Sequence, residues 1–78
     1  MTGNIERGVL AQTILDWYKR HPKKKLHITK YVIGKIEVEG RPMTKGEMGC
    51  GIRYAHQCGC LKRISNNRWE IIRYTLSS

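Results

Sequence analysis

The chain has no phenylalanine, only two prolines and only six acidic residues in 78 positions. Each shortage excludes something. With two tryptophans and four tyrosines as the whole aromatic set, stacking platforms of the kind that line single-strand-binding sheets are few. The acids, Glu6, Asp16, Glu37, Glu39, Glu47 and Glu70, are scattered, and Glu37 and Glu39 share a face only if their segment is a strand. His21, His27 and His56 stand in no arrangement with serine or aspartate that suggests a triad. Gly46, Gly49 and Gly51 lack the Lys-Ser or Lys-Thr that completes a phosphate-binding loop. The expectation is a protein that is not an enzyme and carries no cofactor. Cys50, Cys58 and Cys60 are an odd count, which fits reduced thiols better than a disulfide framework. No apolar run approaches the roughly 18 residues of a membrane span. The segment Met1 to Arg7 lacks the basic start and apolar middle of a secretory signal. A cytoplasmic protein without a membrane partner is expected.

What the chain has is positive charge. Fifteen Lys and Arg against six acids leave a formal charge of +9. Solubility alone asks for a magnitude of only ~2–8 in a small domain. A compact body so charged attracts polyanions: DNA, RNA or an acidic protein face. Hydrophobic residues at 40% suffice for one globular domain over residues 1–78, with a core that is marginal at this length.

Ile5, Val9, Leu10, Ile14, Trp17 and Tyr18 recur at helical spacing and predict a first helix from about Ile5 to Arg20, stopped by Pro22. Glu6 at its start and Lys19 and Arg20 at its end suit the helix dipole. Leu26-His27-Ile28 reads as a short extended piece. Thr29 then caps a second helix, Lys30 to about Val38, with Tyr31, Val32, Ile36 and Ile33 inward. The alternation Gly34-Lys35-Ile36-Glu37-Val38-Glu39 equally reads as a strand; the helix is preferred. Gly40-Arg41-Pro42 is a turn. Thr44 and Glu47 form a capping box opening a third helix to about Gln57, with Met48, Ile52 and Ala55 inward and Gly59 as its left-handed stop. Its three glycines each cost up to ~1 kcal/mol relative to Ala, so it depends on packing. Cys60 to Ile64 and Arg68 to Tyr74 read as a hairpin about Ser65-Asn66-Asn67. Trp69 and Ile71 would share one face, and Ile72 and Tyr74 the other.

The fold class is therefore small α+β: three helices followed by a C-terminal β-hairpin. From Ile28 to Tyr74 this order resembles a winged helix-turn-helix domain, on the strength of Gly59-Cys60-Leu61-Lys62-Arg63-Ile64 after the third helix and the Asn-rich turn. The resemblance implies a third helix in the major groove of double-stranded DNA, where Thr44, Lys45, Arg53 and Gln57 would meet phosphates and base edges. The three glycines of that helix depart from the pattern of the superfamily. A solvated helix face is the competing account of these residues. At the hairpin tip, Arg63, Asn66, Asn67 and Arg68 could enter a minor groove or clamp the backbone; an ordinary solvated turn is the alternative. Lys23, Lys24 and Lys25 would add salt-dependent, sequence-blind affinity. Tyr31 and Tyr54 are the aromatics to test for nucleic-acid contact, while Trp17 and Trp69 sit in apolar patterns that suggest core.

Cys50, His56, Cys58 and Cys60 are candidate metal ligands, but only Gly59 separates the last two, against the wider spacing of structural zinc sites. Semi-buried thiols are the simpler reading. The function expected is sequence-dependent DNA binding in a small transcriptional regulator. The alternatives are an RNA-binding domain, or a basic module or inhibitor that meets an acidic surface of a nucleic-acid enzyme. A homodimer would sharpen specificity, although no heptad pattern announces one.

Overall fold

The structure is a computed structural model that describes residues 5–76; Met1 to Asn4, part of the N-terminal reading above, lie outside the described residues. The first helix, α1, runs Arg7–Lys19. Glu6 sits at its N-cap rather than in its first turn. Leu10, Ala11, Ile14, Leu15, Trp17 and Tyr18 are buried, a stripe that leaves Val9 outside it. At the C-terminus the His21 ring stacks on Trp17 at 3.9 Å. His21 Nδ1 lies 2.7 Å from the Trp17 carbonyl, which can only accept, so this nitrogen carries the proton.

The second helix departs from expectation. After β1 (Leu26–His27), α2 spans only Thr29–Val32, with Ile28 rather than Thr29 as its cap. Ile33 is already extended and Gly34 has φ +88°, a conformation natural to glycine alone. The strand alternation wins over the helical spacing: β2 (Glu37–Val38) pairs with β3 (Arg41–Pro42), Val38 opposite Arg41. Glu39 and Gly40, the two-residue connection, both have positive φ, as the favoured hairpin turns require. Val32, Ile36 and Val38 reach the core, but Tyr31 and Ile33, which the longer helix would have turned inward, do not.

The third helix, α3, runs Lys45–Gln57 between the expected signals. Thr44 Oγ1 accepts from the Glu47 amide at 3.1 Å, and Glu47 Oε1 accepts from the Thr44 amide at 2.9 Å. Arg41 adds a bidentate pair to the same carboxylate, both contacts at 2.7 Å, which fastens the β2–β3 turn to the start of α3. The Arg41 hydrogen bonds first, and then the Thr44 amide, hold the Glu47 carboxyl down at about 2. At the far end Gly59 has φ +81°; its amide donates to His56 O and that of Cys60 to Ala55 O, the paired bonds of a Schellman stop.

Gly51 makes the close crossing of α1 and α3 possible. A Cβ there would lie 2.7 Å from Ile14 Cδ1, 3.1 Å from the Leu10 carbonyl carbon and 3.2 Å from the Ala11 nitrogen. Strands β4 (Leu61–Ser65) and β5 (Arg68–Ile71) form the hairpin, and β1 adds to it antiparallel in the order β1-β5-β4. His27, Trp69 and Arg63 share a rung. His27 is buried and Trp69 half-buried, so this face of the sheet packs inward. The neighbouring rung, Leu26, Glu70 and Lys62, points away from it. β5 ends at Ile71, earlier than expected. Arg73 donates to the carbonyls of Cys58, Thr75 and Leu76, while Gln12 donates to Tyr74 O and accepts from the Leu76 amide. Tyr74 is thereby drawn against the core rather than out of the sheet.

The described residues thus form a small α+β body of three helices and antiparallel strands. No helix among them is long and apolar enough to cross a membrane.

Candidate nucleic-acid interface

The expected site residues divide among three places. Lys45, Asn66, Asn67 and Arg68 come together. They line one cleft of about 410 Å³ with Ile28, Thr29, Lys30, Tyr31 and Ile33. Lys23, Lys24 and Lys25 line an adjoining, more open depression of about 470 Å³ with Leu26, Ile28, Tyr31 and Val32. Ile28 and Tyr31 belong to both, so the two hollows are neighbours across a shared wall. The start of α3, the β4–β5 turn and the lysine run, far apart in sequence, therefore make one concave basic face.

Arg53 and Gln57 lie elsewhere. They are exposed on the outer stripe of α3 with Gly46, Gly49 and Cys50, opposite the buried Met48, Gly51, Ile52 and Ala55. Side chains at Gly46 and Gly49 would meet nothing within 4 Å, so this stripe is nearly bare backbone. Thr44 is exposed, but its hydroxyl is held by the capping box. Arg63 belongs to the third place. It points to the α3 side of the sheet, 5.9 Å from the Trp69 ring centre, and donates to Asn66 Oδ1 at 2.7 Å. It thus orients the turn from behind. Asn67, with φ 65°, occupies the left-handed region that Asn tolerates.

Tyr31 is 61% exposed, contrary to its expected place in the core. Lys30 Nζ lies 5.2 Å from its ring centre, within cation–π range. Tyr54 is half-buried beneath Arg7, beside Gly8, packs against the core and lines neither hollow. Lys30 was not singled out from the sequence as a site residue. Its only signal there was its place beside Tyr31, and the assumed longer helix hid it.

Two of the bases counted in the net charge are absorbed by the fold: Arg41 by Glu47, and Arg73 by the backbone carbonyls at the end of α3 and the tail. Under the cleft, His27 is fully buried. Its Nδ1 is 2.7 Å from the Tyr18 hydroxyl and its Nε2 2.8 Å from the Thr29 hydroxyl. Burial lowers this imidazole to about 4 and raises the Tyr18 phenol, so both are neutral near pH 7.

The four candidate metal ligands do not converge. Cys50 is exposed, Cys58 is partly covered at the end of α3, His56 packs edge-on to Trp69, and buried Cys60 donates to Thr75 O at 3.3 Å. No group of three or more His, Cys, Asp or Glu that could hold a metal exists among the described residues. No protein-family model, curated protein or solved structure matches the chain.

Proposed function

We propose that the chain is a winged helix-turn-helix module that binds double-stranded DNA and regulates transcription by occupying it. One observation carries this reading: Lys30, Lys45 and Arg68, from three separate elements, converge on one cleft that adjoins Lys23, Lys24 and Lys25. Like charges gathered on a concave face repel one another and add nothing to folding, whereas they suit a polyanion. The element order supports the winged reading. So does the hairpin, whose tip Asn66 and Asn67 reach the same cleft as the start of α3. The four-residue α2 and the β2–β3 turn between it and α3 replace the compact helical pair of the usual arrangement.

In this reading the cationic cleft takes the phosphate backbone, the outer stripe of α3 with Arg53 and Gln57 faces the major groove, and the hairpin tip fixes register. The capping box takes up the Thr44 and Glu47 amides and sets the Glu47 carboxylate in the first turn of α3, where it opposes an anion. Phosphate affinity at that end should therefore come chiefly from Lys45 as a point charge.

The test is fluorescence anisotropy against a random 20-base-pair duplex at several salt concentrations. Six cations on phosphate would give a log–log slope approaching about −5, at roughly −0.9 per contact. Lys45→Ala and Arg68→Ala should each reduce the slope by about 1. Arg7→Ala, at the start of α1 over the Tyr54 ring and lining neither hollow, should leave it unchanged. Duplex affinity insensitive to salt, or tighter binding to RNA or to an acidic protein than to duplex DNA, overturns the proposal.

A further inference from the structure

We propose that the cleft between α2 and the β4–β5 turn takes one unpaired nucleotide, its base stacked on Tyr31, so that the preferred partner is DNA with an unpaired base at a bulge or fork. The inference rests on the DNA-binding reading above and deepens it.

A closed duplex presents phosphates and groove edges, and phosphates need only cations. This cleft offers more. Tyr31 is 61% exposed and Ile33 39% exposed on an otherwise basic face. With Ile28, they make its wall apolar and aromatic. Tyr31 borders the neighbouring depression as well and is largely exposed on the wall that the two hollows share. Such a ring has a natural ligand in the flat face of a base, and in a closed duplex every base face is already covered by its neighbours. Only an unpaired base can reach it.

The remaining lining fits the rest of a nucleotide. Asn66 Oδ1 is held by Arg63. Its amide nitrogen, without a partner among the described residues, is left to donate to a base edge. Asn67 adds a second amide on the same turn. Lys30, Lys45 and Arg68 rim the cleft where the flanking phosphates would run. The volume, about 410 Å³, falls within the range of small-ligand sites, roughly 300–1,000 Å³.

The experiment compares a closed duplex with the same duplex carrying a single 2-aminopurine bulge, a base whose emission is quenched by stacking. Wild-type protein should bind the bulged duplex about 5- to 150-fold more tightly, the range that one base–aromatic stack supplies. At saturation, 2-aminopurine should be dimmer in the wild-type complex than in the Tyr31→Ala complex. Tyr31→Ala should lose far more affinity for the bulged duplex than for the closed one, and so lose the preference, whereas Tyr31→Phe should retain it. Because Tyr31 is exposed, the Ala variant is expected to keep its fold, which far-UV circular dichroism checks. Equal affinity for the two duplexes, or an equal loss on both with Tyr31→Ala, overturns the stacking proposal alone. Failure to bind either duplex overturns the DNA-binding reading and this inference with it.

Discussion

Two glycines in α3, two positions apart, should respond to alanine with opposite signs. In the interior of a helix, Gly→Ala gains about 1 kcal/mol from propensity and reduced unfolded-state entropy. At Gly49 a methyl group meets nothing within 4 Å, so Gly49→Ala should realise most of that gain. At Gly51 the same methyl would lie 2.7 Å from Ile14 Cδ1, and 3.1 and 3.2 Å from backbone atoms of Leu10 and Ala11. Ile14 is fully buried, so its Cδ1 can move only against its core neighbours, and the Leu10 and Ala11 backbone atoms can yield only by moving α1. Forcing a methyl group into a packed core costs about 1–3 kcal/mol, which offsets the propensity gain and leaves a net loss of up to about 2 kcal/mol. Since 1 kcal/mol corresponds to roughly 4–8 °C in Tm for a domain of this size, the two variants should melt on opposite sides of the wild type. Thermal and urea unfolding followed by circular dichroism would measure this. If Gly51→Ala is as stabilising as Gly49→Ala, then α1 and α3 do not cross at Gly51, and the packing argument is wrong.

Three further outcomes are expected. The buried imidazole of His27 holds off its proton until about pH 4, whereas the unfolded chain takes it up near 6.5. The unfolded state therefore binds more protons between those values, so stability is full above pH 6.5 and falls with acidification, by about 2 kcal/mol at pH 5. Urea midpoints should follow that direction, and His27→Gln should flatten the dependence; an unchanged slope in the variant refutes the assignment. Glu39 sits at φ 54° in a two-residue turn before Gly40, where Asn is far better tolerated, so Glu39→Asn should raise stability by about 1 kcal/mol. A drop in Tm would show that the turn is not of this kind. On the proposed function, Arg53→Ala should weaken binding to a selected site by about 1–3 kcal/mol while hardly affecting random duplex; equal losses on both would remove Arg53 from base reading.

The parts legible in the sequence were those with local causes. The ends of α3 follow from Thr44, Glu47 and Gly59, each acting within a few residues of itself. The hairpin follows from an Asn-rich turn between two short segments in which apolar and charged residues intermix, Leu61 to Ile64 and Arg68 to Ile71. The second helix misled because Tyr31, Val32 and Ile36 have helical spacing while Ile36 and Val38 alternate as in a strand. Over so short a segment the period alone cannot decide. What decided was the pairing of Val38 with Arg41 and the ion pair of Arg41 with Glu47, contacts that no local pattern announces. The same error placed Tyr31 in the core. The cleft itself was only half legible, for the converging residues come from positions 28–33, 45 and 66–68, and nothing in their spacing brings them together.

The truncation of α2 also shapes what the site can do. Because the helix stops at Val32, the chain from Ile33 to Thr44 is free to build the β2–β3 turn that clamps α3 through Arg41 and Glu47. That clamp fixes where Lys45 projects, yet it also places a carboxylate in the first turn of α3, which works against an anion there. The cations of the face are consequently flexible lysines for the most part, suited to backbone attraction rather than to bidentate reading. The groups with more defined placement are the Tyr31 ring, carried on a short helix, and the Asn66 amide, held from behind by Arg63, with Asn67 beside it on the same turn. In the proposed function, affinity and selectivity should therefore separate by residue. Charge removal at Lys23, Lys24, Lys25 or Lys45 should act alike on every nucleic acid offered, and substitutions at Tyr31, Asn66 or Asn67 should change the preference among them.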